Sequence, residues 1–148
     1  IESLILDEPE KMELKDGCEI GRVFYEANAE WDYIRYVMKT VDCDFKGIKV
    51  AIDCANGSAS RVAPKLFEGL GASCVFIHNE PDGTNINENC GSTHIEDLQK
   101  TVVEKKCDLG LAFDGDADRC LAVDENGQLI DGDKLLAIFS KFMKVQGK

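Results

Sequence analysis

From residue 48 onward the chain alternates two hydrophobic rhythms, and this alternation narrows the fold more than any other feature. "IKVAIDCA" (48–55) is a β-branched apolar run and predicts a strand. "NGSASRVAPKLFEGLG" (56–71) predicts a turn and a helix, with Ser58 or Ser60 as N-cap and Gly69 or Gly71 at the end. "ASCVFIH" (72–78) predicts a second strand, and "THIEDLQKTVVEKK" (93–106) a second helix with Thr93 and Glu96 at capping-box spacing. "CDLGLAF" and "RCLAVD" predict third and fourth strands, "ENGQ" a turn, and "LLAIFSKFMK" a closing helix after "DGDK". The order β-α-β-α-β-β-α predicts an α/β chain, a three-layer α/β/α sandwich around a four-stranded mixed, mostly parallel sheet. The short link between the last two strands permits an antiparallel edge strand.

Ahead of that region, residues 1–7 are helical in pattern, and "DEPEKMELKDG" is a polar connection around Pro9 and Gly17. "NAEWDYIRYVMKTV" carries Trp31, Tyr33, Ile34, Val37, Met38 and Val41 at helical spacing, with Asn28 as N-cap. The chain opens without Met on what reads as the tail of a helix, so it is expected to be part of something longer. Residues 1–18 are assigned to the end of a preceding domain and its linker, and 19–148 to one α/β/α domain.

Charge excludes one class of partner. The formal net charge is −11, which argues against nucleic acid, because phosphate backbones demand a basic surface. No apolar run reaches the length of a membrane span, and no signal-peptide pattern opens the chain. The seven cysteines show no C-x-x-C spacing; Cys54, Cys74, Cys107 and Cys120 lie in or beside apolar runs. Buried thiols in a reducing, cytoplasmic setting are expected. His78 and His94 have no ligand-spaced cysteine nearby, which argues against zinc.

"FDGDADRC" (113–120) puts Asp114, Asp116 and Asp118 at every second position and Arg119 directly after them. Carboxylates this close repel one another unless a cation sits among them. They directly follow an apolar strand, and ligands of open α/β sheets gather beyond the carboxyl ends of strands. Gly115 and Ala117 add no bulk between them. A hard divalent cation, Mg2+ among them, takes such oxygen ligands, and the planar guanidinium of Arg119 suits a phosphate oxygen or a carboxylate. The competing reading is a solvated polar turn. Two rivals share the letters. An EF-hand loop counted from Asp114 finds acids at positions one, three and five and Glu125 at twelve, but it has Arg119 where the sharp turn needs Gly, and its preceding segment reads as strand. A haloacid-dehalogenase-like Asp-x-Asp motif would expect Thr or Val at Ala117.

"DCANGSAS", "NEPDGTNINENCGSTHIEDLQ", "DLGLAFDGDADRCLAVDENG" and "DGDKLLAIFSK", in this order, resemble the second domain of the α-D-phosphohexomutases, over about residues 19–148. The polar loop "DGTNINENCGS" is similar to the amino-sugar branch of that family. The resemblance implies an intramolecular phosphotransferase that interconverts hexosamine 6- and 1-phosphates through a bisphosphorylated intermediate. It puts Asp114, Asp116 and Asp118 on Mg2+ and Arg119 near the transferring phosphate. It also implies that the phosphoserine nucleophile and the sugar- and phosphate-gripping loops lie in other domains of a longer chain, so that this stretch alone is inactive. Alternatives kept open are a phosphomannomutase or phosphoglucomutase of the same superfamily and a non-catalytic calcium-binding module. Ala117 stands where the family often has Gly, which matters only if the backbone there needs φ > 0. Asp53 and Asn56 read as a strand end and an Asn-Gly turn, His94 as structural near a helix start, and Trp31 and Tyr33 as packing.

Overall fold

The computed structural model describes residues 2–7, 11 and 15–147. Its elements are α1 (Glu2–Leu6), α2 (Ala29–Met38), β1 (Lys49–Asp53), α3 (Ala59–Gly69), β2 (Ser73–Ile77), α4 (Glu96–Lys105), β3 (Leu109–Phe113), β4 (Cys120–Asp124), β5 (Leu129–Ile130) and α5 (Gly132–Val145). Much of the connection around Pro9 lies outside the described residues.

The sheet has five strands in the order β2-β1-β3-β4-β5. β1 is parallel to β2 and to β3, while β3–β4 and β4–β5 are antiparallel. The expected four-stranded sheet is therefore one strand short. The pair Leu129–Ile130 carries too little pattern to read as a strand, and its pairing with Val123 and Ala122 is what makes it one. The antiparallel β4 is interior, and β5 forms the edge.

β1, flanked by β2 and β3, alternates its side chains between two cores. Val50 and Ile52 join Ala59, Ala63 and Phe67 beneath α3 on one face. Ala51 joins Leu98 and Val102 of α4, with Ala112 and Val123, on the other. This is the expected three-layer α/β/α arrangement, and it forces parallel pairing, since each helix carries the chain back to the same end of the sheet. α2 packs on α3 through the fully buried Ile34, and Glu30 binds Arg61 at 2.9 Å and also Lys65. Trp31 is half exposed with the Lys65 ammonium 5.3 Å from its ring centroid, and Tyr33 is exposed.

Several helix starts differ from the sequence reading. Asn28 and Ser58 occupy N-cap positions, yet neither side chain accepts a capping hydrogen bond. Ser60 lies inside α3, and its buried Oγ has no partner among the described residues. The Thr93–Glu96 capping box does not form. Thr93 closes a 3-10 turn over Gly91–Thr93, and Ile95 takes the N-cap position of α4. α5 starts earlier than expected because the Asp131 side chain accepts the Lys134 N–H at 2.9 Å. α5 has no buried residue, and Leu136, Ile138, Phe139 and Phe142 stay exposed.

Candidate metal centre

The apolar run "LGLAF" makes β3, and the chain leaves the sheet at Phe113. Six residues, 114–119, then return it into β4, so the three aspartates lie at the carboxyl end of a central strand, between two strands. That flanking excludes a helix–loop–helix calcium module.

Asp114 is buried, 2% exposed, and anchors the loop. Its carbonyl accepts the Ala117 N–H at 3.1 Å, its Oδ1 the Arg119 N–H at 3.1 Å and its Oδ2 the Arg119 Nε–H at 2.7 Å. Asp116 and Asp118 are exposed, and Arg119 Nε also lies 3.6 Å from Asp118 Oδ1. Each of the three carboxylates offers one oxygen within 4.8 Å of the other two. An all-oxygen set at this spacing fits a hard divalent cation and not a thiophilic one.

The electrostatics agree. Burial opposes ionisation of Asp114, but its hydrogen bonds from the Arg119 backbone and guanidinium outweigh it and hold the carboxyl below its usual range. Asp118 is pushed the other way, first by its hydrogen bond with Asp114 and then by the charges of Asp116 and Asp114. Arg119 relieves Asp114, while Asp118 stays raised by its carboxylate neighbours despite the same guanidinium, so repulsion at this site is only partly offset by the protein's own groups.

The loop rests on two neighbouring segments with no side chain between. The Ser58 N–H donates to Gly115 O at 2.9 Å, and a Cβ on Gly57 would lie 2.3 Å from that same oxygen. A Cβ on Gly91 would lie 2.5 Å from Phe113 O. Ala117 has φ +60°, the left-handed region, so the position does require φ > 0. Two clefts open beside Asp116. One, of about 400 Å³, is apolar and lined by Tyr33, Val37, Val62 and Phe67. The other, of about 390 Å³, is lined by Asn56, Arg61, Asn85 and Ile86.

Asp53 reads in the sequence as no more than a strand end. It is fully buried at the end of β1 and binds the half-buried His78 Nδ1 at 3.0 Å. His78, Cys90 and Asp53 come together in space although no local spacing links them. The one available signal was an acid closing an apolar strand. Asn56 braces the long loop, accepting the Glu80 N–H at 3.2 Å. His94 is exposed and caps the 3-10 turn through its backbone N–H to Gly91 O.

The geometry is that of an α/β/α domain with a parallel centre and an acidic loop at the carboxyl end of its inner strands. Residues 31–127 match the family Phosphoglucomutase/phosphomannomutase, alpha/beta/alpha domain II. The chain belongs to that family. Over all 148 of its residues it is 56% identical to a phosphoglucosamine mutase of Acetivibrio thermocellus and 54% identical to one of Clostridium acetobutylicum. It spans about a third of the length of these curated relatives (33%). Among solved structures it resembles a phosphoglucomutase/phosphomannomutase family protein of Burkholderia thailandensis, with TM-score 0.70 and 27% identity over 80% of this chain and 26% of that one. It also resembles an apo-form N-acetylglucosamine-phosphate mutase, with TM-score 0.53 and 26% identity over 78% of this chain and 27% of that one.

Proposed function

We propose that this chain is the magnesium-binding wall of a phosphoglucosamine mutase, which converts glucosamine 6-phosphate to glucosamine 1-phosphate for cell-wall precursor synthesis in the cytoplasm. The observation that carries the reading is the set of three carboxylate oxygens within 4.8 Å beside Arg119. The names of the relatives support the amino sugar over glucose or mannose. Residues 19–148 serve as the second domain, and residues 1–18 as the exit from the first.

Asp114, Asp116 and Asp118 would hold Mg2+, which supplies charge neutralisation and orientation to a moving phosphoryl group. Asp114, buried and ionised, fixes the loop and aligns Arg119. The Arg119 side chain, 65% exposed, presents its guanidinium toward solvent while Nε stays on Asp114, an arrangement suited to a phosphate oxygen. The phosphoserine that donates and recovers the phosphoryl group comes from another domain of the longer chain, as do the groups gripping the sugar.

Calorimetric titration tests the metal assignment. Mg2+ binds the 148-residue chain weakly, because three carboxylates leave several waters on the ion, and Asp116→Ala abolishes the binding. Binding that survives Asp116→Ala overturns it. A coupled mutase assay tests the reaction: a longer chain with its neighbouring domains turns over glucosamine 6-phosphate in preference to mannose 6-phosphate, and this stretch alone does not. Turnover by this stretch that is lost on Ser58→Ala or Ser60→Ala would refute the external nucleophile.

A further inference from the structure

One buried carboxylate gathers the two segments on which the acidic loop rests. Asp53 has no exposed surface. Its Oδ1 accepts the Ala55 N–H at 2.8 Å, and its Oδ2 accepts the Gly91 N–H at 2.9 Å. The same Oδ2 lies 3.0 Å from His78 Nδ1, and against a carboxylate that nitrogen is the donor. His78 Nε2 stands 3.5 Å from Asp97 Oδ2. Donors from the turn after β1, the end of β2 and the 3-10 turn before α4 therefore converge on one side chain.

Two of those segments, the turn after β1 and the 3-10 turn, touch the acidic loop through bare backbone. Gly57 and Ser58 meet Gly115, and Gly91 meets Phe113 O and, at 2.6 Å from where its Cβ would lie, the Ala55 Cβ. The Asn87 N–H ties the polar loop ahead of the 3-10 turn to the turn after β1 by donating to Ala55 O at 2.9 Å. The backbone here is also strained. Ala55, Asn56 and His78 have φ of +51°, +47° and +47°. Left-handed non-glycine residues cost about 1–2 kcal/mol each and persist only where the surroundings over-determine them. Asp53 bonds two of these three directly.

We propose that Asp53 is a positioning residue for the metal loop, acting through Ala55, His78 and Gly91 to fix the backbone bed beneath residues 113–117. The relevance to metal rests on the reading that the three aspartates hold Mg2+; the positioning itself does not. The role needs a carboxylate, since all three partners donate. An amide would turn one acceptor into a donor facing an N–H or the imidazole. Asp53, His78 and Cys90 also offer ligand atoms within 4.8 Å. The Asp53 oxygens are already engaged by three donors, however, and burial, with the Asp53 charge next, pushes the Cys90 thiol up and keeps it protonated.

The test is residue-resolved amide hydrogen exchange on the 148-residue chain, without metal, together with Mg2+ titration. In Asp53→Asn the Ala117 and Arg119 amides, which bond Asp114, exchange at least about tenfold faster, and Mg2+ affinity falls by about tenfold or more. The β1 and β3 ladder amides change only with global stability. Should Asp53→Asn fail to fold, His78→Ala shows the same local pattern at smaller amplitude. His78→Asn restores protection, because Asn tolerates φ > 0 and its amide nitrogen replaces Nδ1 as donor. Loop amides that stay unchanged, or that change only in step with the ladder, overturn the proposal. So does stoichiometric zinc uptake lost on Cys90→Ser, which would make Asp53 a ligand. A wild-type chain that binds no Mg2+ refutes the metal assignment and leaves the exchange result to decide the positioning role.

Discussion

The contact between Gly57 and Gly115 gives the sharpest quantitative expectation. An ideal Cβ at residue 57 lies 2.3 Å from Gly115 O, 2.7 Å from its Cα and 2.8 Å from its carbonyl carbon. A relaxed carbon–oxygen contact needs about 3.3 Å, so Gly57→Ala pushes the acidic loop away by roughly 1 Å. The obstacle is backbone, and no rotamer change relieves it. The shift stretches the Ser58 N–H···O Gly115 bond, now 2.9 Å, beyond hydrogen-bonding length. Overpacking costs about 1–3 kcal/mol, and the lost bond about 1 kcal/mol more. Alanine returns about 0.4–1 kcal/mol by restricting the unfolded chain. The net loss is about 1–4 kcal/mol, which lowers the melting temperature of a chain this size by roughly 3–12 °C. Thermal unfolding by circular dichroism reads the first effect, and Mg2+ titration reads the displaced carboxylates as an affinity loss of about tenfold or more. A variant that matches wild type in both measurements refutes the close approach.

Three further outcomes follow from the same region and from the thiols. Ala117→Gly relieves a left-handed alanine worth about 1–2 kcal/mol against about 0.4–1 kcal/mol of added unfolded-state freedom, so thermal unfolding shifts upward by at most roughly 5 °C and does not shift downward. Asp118 has a raised carboxyl pKa, so its charged form is disfavoured in the folded chain; the metal-free Asp118→Asn variant is more stable at neutral pH, and the difference disappears as pH falls through that raised value into the acid range, which melting curves against pH detect. With a thiol-specific disulfide reagent at neutral pH the exposed Cys18 and Cys43 react in the native state, whereas Cys54, pushed up to about 12 by burial and then by the Asp53 charge, reacts only on unfolding.

What could be read from sequence was local. β1 and β3 announce themselves because both of their faces are buried, which leaves continuous apolar runs. The three aspartates were legible because their spacing lies within five residues of one strand end. Asp53, His78 and Asp97 were not, because their contacts span 25 and 19 residues and exist only once β1 and β2 pair. The Thr93–Glu96 spacing misled because Gly91, at φ +74°, begins a 3-10 turn that uses Thr93 before α4 starts. α5 shows the limit of binary patterning. Its apolar positions identify a face, while Leu136, Phe139 and Phe142 remain exposed in this chain.

The parallel core explains why the polar groups meet at all. Asp53 pairs in register with Ile77 and with Ala112, so Asp53, His78 and Asp114 stand at or just beyond the same end of three adjacent strands. Crossover helices make that alignment unavoidable, whereas an antiparallel arrangement would send alternate strand ends to opposite rims. The charges at that rim then limit what it can do unaided. Three carboxylates with Arg119 and one divalent cation come to neutrality, so a doubly negative phosphoryl group adds charge that the loop does not balance. Arg61 borders the adjacent cleft but is engaged with Glu30 at 2.9 Å, and the chain carries a net −11. Under the proposed function, the cations that grip the phosphate must therefore come from the other domains, and the acidic loop can fix the metal but cannot by itself retain the sugar phosphate.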